Sequence, residues 1–229
     1  MIFLIFVVIF QNQDDIKDLQ DMKVLSKAKE AALVNGSGVD TEFFAVEPLP
    51  EKLSFLMLAR FVKSKGIIEY AEAAKIVKKV YPQTNFILIG PEDMSPNSFP
   101  IEEINRFVDE GRINYLGPKK DVLPFIQKCS VFVLPSYHEG MPRTVIEAMA
   151  IGRPIITTDT AGCQETVSNG INGWLVPVKN IDALVEKMFW FIENSDKLIA
   201  MGVESRHLAE KKFDVNHINA DIMRVIKNS

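Results

Sequence analysis

Two carboxylates and a turn carry the most suggestive chemistry in this chain. Glu139 and Glu147 stand eight residues apart in SYHEGMPRTVIEAMAIG, residues 136–152. Residues 143–151 combine good helix formers with apolar positions at Val145, Ile146, Met149 and Ala150. Pro142 suits a first helical turn, where no backbone N–H is needed. Gly152 suits a left-handed stop, and Pro154 forbids continuation. With the apolar run 131–134 in front, the stretch reads as strand, turn and helix. Such a unit aims unpaired N–H groups and a partial positive charge at whatever lies above the sheet edge. Glu147 then lies one turn inside the helix and Glu139 on the loop beside its mouth. The arrangement suits a ligand that is anionic in the middle and hydroxyl-rich at both ends, since each carboxylate can accept from sugar hydroxyls. A capping glutamate plus a solvated helix glutamate fits the bare spacing equally well.

A second cluster supplies cations. Arg60 and Lys65 lie in ARFVKSKG, residues 59–66, directly after an apolar run. A diphosphate wants this pair, because Arg offers a planar fork and Lys a point charge. Lys63 reads as solvated. His138 precedes Glu139, but the sequence shows neither a nucleophile nor an orienting acid for it, so it reads as a neighbour of the site. His207 and His217 fall on expected surface helices. No Asp-x-Asp occurs and no His/Cys/Asp cluster has ligand spacing, so no metal site is expected. Cys129 and Cys163 lack metal spacing and imply a reducing compartment without a disulfide scaffold.

The elements that must position these groups form a regular series. Apolar runs at 55–59, 86–90, 113–117, 131–134, 155–158 and 174–176 alternate with helical stretches at 66–80, 101–109, 121–128, 143–151, 164–168 and 181–194. Two further helices are expected at 195–212 and 215–227, the last with a stripe of Ile218, Ile222, Val225 and Ile226. Alternation with short links predicts an α/β fold with a doubly wound parallel sheet. Ligands then sit at the carboxyl ends of the strands, where the candidate residues fall. The opening MIFLIFVVIF is too short to span a bilayer and lacks the basic flank of a signal peptide. It reads as a buried strand, followed by a charged, weakly helical stretch at 14–29, an apolar run at 31–34 and a loop at 42–52. At 229 residues, 47% hydrophobic and 24% charged, the chain has ample core. Its formal charge of −4 argues against nucleic acid as a partner, so an anionic ligand needs a local basic cluster.

Residues 139–167, EGMPRTVIEAMAIGRPIITTDTAGCQETV, resemble the family 4 glycosyltransferases of the GT-B fold. They carry that family's Glu-x7-Glu motif, a G-x-P-I strand and a G-C-x-E turn. Arg60, Lys65 and Gly66 match its R-x4-K-G motif, residues 36–40 its G-S-G-V-D loop, and IFQNQDD at 9–15 its V-F-F-Q-N-P-D-D stretch, with Gln13 in place of Pro.

The resemblance implies a Rossmann-like nucleotide-sugar-binding domain at 31–212. It also implies a remnant of an N-terminal acceptor domain with an interdomain segment at 1–30, and a crossover helix at 213–229. It implies sugar transfer with retention from a nucleotide diphosphate sugar, without cofactor or metal, to a glycan or lipid-linked acceptor. That acceptor would be held by an N-terminal domain mostly absent here, and the enzyme would work in the cytoplasm, at the inner face of a membrane through peripheral association. Arg60 and Lys65 would bind the diphosphate and stabilise the departing nucleotide. Glu139 would hold donor-sugar hydroxyls and Glu147 the ribose. Backbone amides of Gly140, Met141, Arg143 and Thr144 would contact phosphate or sugar. Gly90 would shape the base pocket, with Leu116, Gly117 and Pro118 flanking the base, and Gly38 would stand at the domain entrance. Gly162 and Glu165 match the G-C-x-E turn, with a capping or pairing role for Glu165. The rival readings are a nucleotide-sugar-binding module without transfer activity and a GT-B epimerase or phosphorylase.

Overall fold

The computed structural model describes residues 7–23 and 30–227. The first six residues of the expected opening strand, and residues 24–29 of the expected charged stretch, lie outside the described residues.

Strand β1 (Val7–Phe10) pairs in parallel with β2 (Glu30–Leu33), and α1 (Gln13–Asp21) lies between them in sequence. The apolar run at 31–34 is therefore a strand that shares a small sheet with the opening segment. The main body follows as β3 (Ser54–Leu58), α2 (Ile67–Val80), β4 (Asn85–Ile89), α3 (Ile101–Asp109), β5 (Asn114–Tyr115), α4 (Leu123–Gln127) and β6 (Val131–Leu134). It continues as α5 (Arg143–Ala150), β7 (Ile155–Thr158), β8 (Gly173–Val176), α6 (Ile181–Glu193), α7 (Leu198–Phe213) and α8 (Val215–Lys227).

The six strands β3–β8 form one parallel sheet in the order β5-β4-β3-β6-β7-β8. The doubly wound sheet expected from the alternation is the one observed. Strands β3, β6 and β7 are buried at every position, which is why they read as unbroken apolar runs. Helix α2 packs on α6 and α5 on α7, so both arms of the sheet are covered.

Several expected elements come out shorter, among them the helix at 121–128, which is Leu123–Gln127. The run at 113–117 pairs only at Asn114 and Tyr115, since Gly117 turns left-handed (φ 73°) and Pro118 cannot donate to a ladder. The stretch at 164–168 is a single 3-10 turn, Gln164–Thr166. The first residues of the expected helix at 195–212 form a separate 3-10 turn, Ser195–Lys197. Phe213, fully buried, ends α7; its carbonyl accepts from Val39 N–H, and Val39 O accepts from Val215 N–H, so the bend into α8 is clamped by the residue after Gly38.

One residue inside this frame has no precedent in the sequence reading. Arg153 is wholly buried, and donates from Nε to Ile126 O and from Nη2 to Pro48 O and Gln127 O. It closes the carbonyl end of α4, a role for which a cation is suited.

The order of the strands reverses between β3 and β6, which lie side by side with Phe55 opposite Val131 and Leu56 opposite Phe132. Gly66 sits where their exits meet. Its φ is 76°, and a Cβ there would lie 2.1 Å from Pro135 O. Gly111 has a similar φ of 69° but open space around it. Gly66→Ala is therefore expected to cost about 3 kcal/mol or more, from left-handed strain plus backbone overlap. Gly111→Ala is expected to cost only about 1 kcal/mol. Urea unfolding of both variants checks this; equal losses would show that the contact with Pro135 carries no weight.

Candidate functional site

Four strand exits converge at the carboxyl edge of the sheet. The exit of β3 is tied to that of β6: Tyr137 N–H donates to Ser64 O at 2.7 Å, and Ser136 Oγ to the same oxygen at 3.1 Å. It is tied also to the exit of β4, through Phe61 N–H to Pro91 O, Lys63 N–H to Asn97 O and Phe99 N–H to Phe61 O. Gly90 permits this contact, since a Cβ there would lie 1.8 Å from Ala59 O. From β7, Gly162 lies against the mouth loop of α5, a Cβ there falling 2.4 Å from the carbonyl oxygens of both Glu139 and Gly140.

On this frame the cations and carboxylates meet in pairs. Lys65 Nζ lies 2.5 Å from Glu139 Oε1, both side chains largely covered. Arg60 Nη1 lies 2.8 Å from Asp93 Oδ2, with the Arg60 side chain 68% exposed. Arg143 Nε lies 3.0 Å from Glu147 Oε1, the arginine 70% exposed and the glutamate 8%. Burial raises the Glu147 carboxyl above the ordinary glutamate range, and Arg143, mostly in water, offsets this only in part. Asp93 is held below the ordinary range, first by hydrogen bonds from Ser95 and then by Arg60.

Pro142 occupies the N-cap position of α5, and no side chain caps that terminus. Among the described residues, the amides of Gly140, Met141, Arg143 and Thr144 donate to no protein group. The Thr144 hydroxyl lies 3.5 Å from Leu58 O, which brings the helix mouth to the end of β3. The crevice thus offers four open amides, a lysine shared with a glutamate, an exposed arginine and a buried carboxylate.

Arg60, Lys65, Glu139, Gly140, Met141, Arg143, Thr144 and Glu147 are accordingly brought to one edge, with Gly90 behind them. Leu116, Gly117 and Pro118 lie further along that edge, on the partly open loop after β5, tied in by Tyr115 Oη donating to Gly90 O at 3.0 Å. Gly38 does not join the cluster. It is buried against α8, where a Cβ would lie 2.8 Å from Val215 Cα, because the bend after β2 runs alongside that helix. Gly36 is the glycine that meets the site, facing Met141. Glu165 pairs with Lys212 of α7, the pairing role expected of it. His138 is exposed, 3.8 Å from Asp15. Cys129 is buried and its thiol pushed up to about 12 by burial, so it is core. Sequence reasoning missed Asp93, whose signal was an Asp two residues before Ser95 in the loop after Gly90. It also missed Asn12, which donates to Gly140 O.

A groove of about 760 Å³ lies at the opposite end of the strands, between residues 46–49 and α7. Arg153 donates there to the carbonyls of Ile126, Gln127 and Pro48, and Arg206 to those of Phe44 and Ala150 and to Glu210, so the groove is mainly apolar and lacks the open amides of the crevice. Among the described residues, no group of three or more His, Cys, Asp or Glu is placed to hold a metal ion.

A family model described as "Glycosyl transferases group 1" matches residues 39–227. An N,N'-diacetylbacillosaminyl-diphospho-undecaprenol alpha-1,3-N-acetylgalactosaminyltransferase of Campylobacter jejuni is 34% identical over 184 residues, 79% of this chain and 47% of that protein. The chain spans about half the length of the relatives it matches. Among solved structures, HepE of Anabaena in complex with UDP superposes with a TM-score of 0.84 at 20% identity, over 97% of this chain and 64% of that one. Sucrose-phosphate synthase of Thermosynechococcus elongatus superposes with a TM-score of 0.82 at 23% identity, over 97% and 58%. These two show the fold.

The raised Glu147 carboxyl has a consequence for stability. A carboxyl whose folded value lies above its unfolded one favours folding fully below the ordinary value of 4.5, and that contribution is lost as pH rises through the raised value. Glu147→Gln is therefore expected to melt at or above the wild-type temperature at pH 8, with the difference shrinking as pH falls below 4.5. Melting curves across that range check it; a variant that loses more at pH 8 than at pH 4 would mean that Arg143 outweighs burial.

Proposed function

This chain belongs to the group 1 glycosyl transferases, and we propose that it forms the donor-binding half of an enzyme that transfers sugar from a nucleotide diphosphate sugar. One observation carries the reading: an uncapped helix terminus, two cations and two carboxylates share the edge where the strand order reverses. A diphosphate at the α5 mouth would find the open amides of Gly140, Met141, Arg143 and Thr144. Lys65 has donors beyond the one given to Glu139, and Arg60 keeps most of its fork free of Asp93. Both would stabilise the charge that grows on the departing nucleotide. Glu139 would hold sugar hydroxyls, and Glu147, deeper on α5, the ribose. The loop of Leu116, Gly117 and Pro118 would flank the base, with Gly90 shaping the floor.

We assign no cofactor and no metal to the reaction, which runs with retention and rests on positioning and leaving-group stabilisation. The acceptor is a glycan or lipid-linked sugar, as the diphospho-undecaprenol in the name of the Campylobacter jejuni relative suggests. Such an acceptor would be reached by peripheral association at the inner face of a membrane; among the described residues no helix is long and apolar enough to cross one. An epimerase or phosphorylase finds no support in the relatives' names.

Calorimetry with nucleoside diphosphates and with the matching nucleotide sugars tests the assignment. Glu147→Ala is expected to weaken both ligands, and Glu139→Ala only the sugar-bearing one, each lost charge-assisted bond costing roughly 1.5–3 kcal/mol. Equal losses on both ligands for both variants refute the division of roles. In a polypeptide that also carries an acceptor domain, Arg60→Ala and Lys65→Ala should each lower turnover on the order of 10²–10³-fold, with smaller effects on donor affinity. Lys63, exposed and assigned to solvent, is the control. A Lys63→Ala loss as large as that of Lys65→Ala would place the phosphate elsewhere. Binding without transfer, acceptor domain included, would favour a binding module.

A further inference from the structure

Asn12 begins α1, yet it touches the mouth loop of α5, 128 residues away. It is 3% exposed, and all of its carboxamide is engaged. Oδ1 accepts from Asp15 N–H at 2.8 Å, the bond of a helix N-cap. Nδ2 donates to Asp15 Oδ2 at 2.9 Å and to Gly140 O at 3.0 Å. Capping needs only the oxygen, and Asp or Ser performs it as well as Asn. The nitrogen is what distinguishes Asn here, and its long-range contact is Gly140.

That contact has a geometric consequence. The carbonyl of Gly140 and the N–H of Met141 belong to one planar trans peptide and point in opposite directions. A donor fixed on the carbonyl therefore sets where the Met141 N–H points, and polarises it. On another flank, Gly162 lies hard against the carbonyls of Glu139 and Gly140. The loop that carries the open amides and Glu139 is gripped by both, and Glu139 is held by Lys65 besides.

We propose that Asn12 is a positioning residue of the donor loop: through its amide nitrogen it fixes the Gly140–Met141 peptide so that the Met141 N–H is presented to the ligand's phosphate or sugar. This rests on the donor reading above, but the hold on the peptide is measurable without ligand.

Three variants of the full chain separate positioning from capping. Asn12→Ser and Asn12→Asp keep a capping oxygen and lose the amide donor to Gly140 and to the Asp15 side chain, Asp also setting a carboxylate against the Gly140 carbonyl and the Asp15 carboxylate. Asn12→Ala loses both. In solution NMR of the ligand-free chain, the Gly140 carbonyl-carbon and Met141 amide resonances should shift in all three, with the α1 amides retained in Ser and Asp. In calorimetry with UDP, GDP and their hexose derivatives, the ligand that wild type binds best should weaken about three- to tenfold in Ser, the loss of one hydrogen bond, and at least as much in Asp. A capping role alone would leave Ser and Asp at wild-type affinity with only Ala impaired, and that result overturns the proposal. Unmoved Gly140 and Met141 resonances in Ser overturn it also, as does a melting temperature depressed in Ser and Asp as far as in Ala. Shifted resonances in a chain whose wild type binds no nucleotide would instead remove the donor reading, and with it the role given to the Met141 amide.

Discussion

The contact on which this molecule depends is the junction between the exits of β3 and β6. The two strands are hydrogen-bonded neighbours, but the chain leaves one toward β4 and the other toward β7. A parallel sheet must open where its winding reverses, and an open crevice at a sheet's carboxyl edge would ordinarily leave main-chain groups without partners. Here Ser64 O takes two donors, from Tyr137 and Ser136, and Gly66 lets the Pro135 carbonyl approach where any other residue would intrude. The crevice is thereby closed at its floor and open at its rim. Everything placed at the rim, from Arg60 and Lys65 on one side to Glu139 on the other, inherits its position from that junction.

The electrostatics follow from the same closeness. A chain with a formal charge of −4 needs positive potential only where an anion is to sit. The crevice supplies it with backbone amides, which carry no net charge, and with cations that are each matched to a carboxylate: Lys65 to Glu139, Arg60 to Asp93 and Arg143 to Glu147. Such pairing holds the side chains in defined orientations before any ligand arrives. It also divides the pairs by burial. Lys65 and Glu139 are largely covered, whereas Arg60 and Arg143 are mostly in water and their ion pairs weak. Arg60 can therefore turn toward a phosphate at little cost, while Lys65 must serve its carboxylate and a ligand together.

Legibility in the sequence followed how local each cause was. The sheet was readable because its central strands β3, β6 and β7 are buried at every position and alternate with helical stretches, each within a single window of residues. The mouth of α5 was readable because Pro142, Gly152 and Pro154 mark its ends within that same stretch. What escaped were features made by two distant segments. The lysine-to-glutamate pair joins residues on different strand exits, and the run 31–34 became a strand only because residues 7–10 lie beside it. Arg153 was only the unassigned letter of the G-x-P-I strand, though it is buried whole on three carbonyls. Gly38 matched a motif, yet the space it vacates is filled by α8 and not by the crevice. A motif letter reports that a residue type is required, not which neighbour requires it.

Glu147 is an acid placed where an apolar residue would be more stable. Its side chain lies within α5, 8% exposed, and burial raises its carboxyl despite Arg143. An acid in such a position costs stability in the ionised form, and a buried apolar residue would not. The cost is recovered if hydroxyl donors arrive to replace the lost water, because a carboxylate already stripped of solvent gains the full strength of the bonds it accepts. The open amides of Gly140, Met141, Arg143 and Thr144 obey the same logic with the opposite sign, as donors that meet no protein acceptor among the described residues. One α5 terminus thus presents unsatisfied donors at its mouth and an under-solvated acceptor one turn in. A ligand that is anionic at one point and hydroxyl-bearing at the next satisfies both at once, whereas inorganic phosphate satisfies only the first. A preference for such a ligand over a bare anion would then rest on α5 and its mouth, through the four-residue step from Arg143 to Glu147.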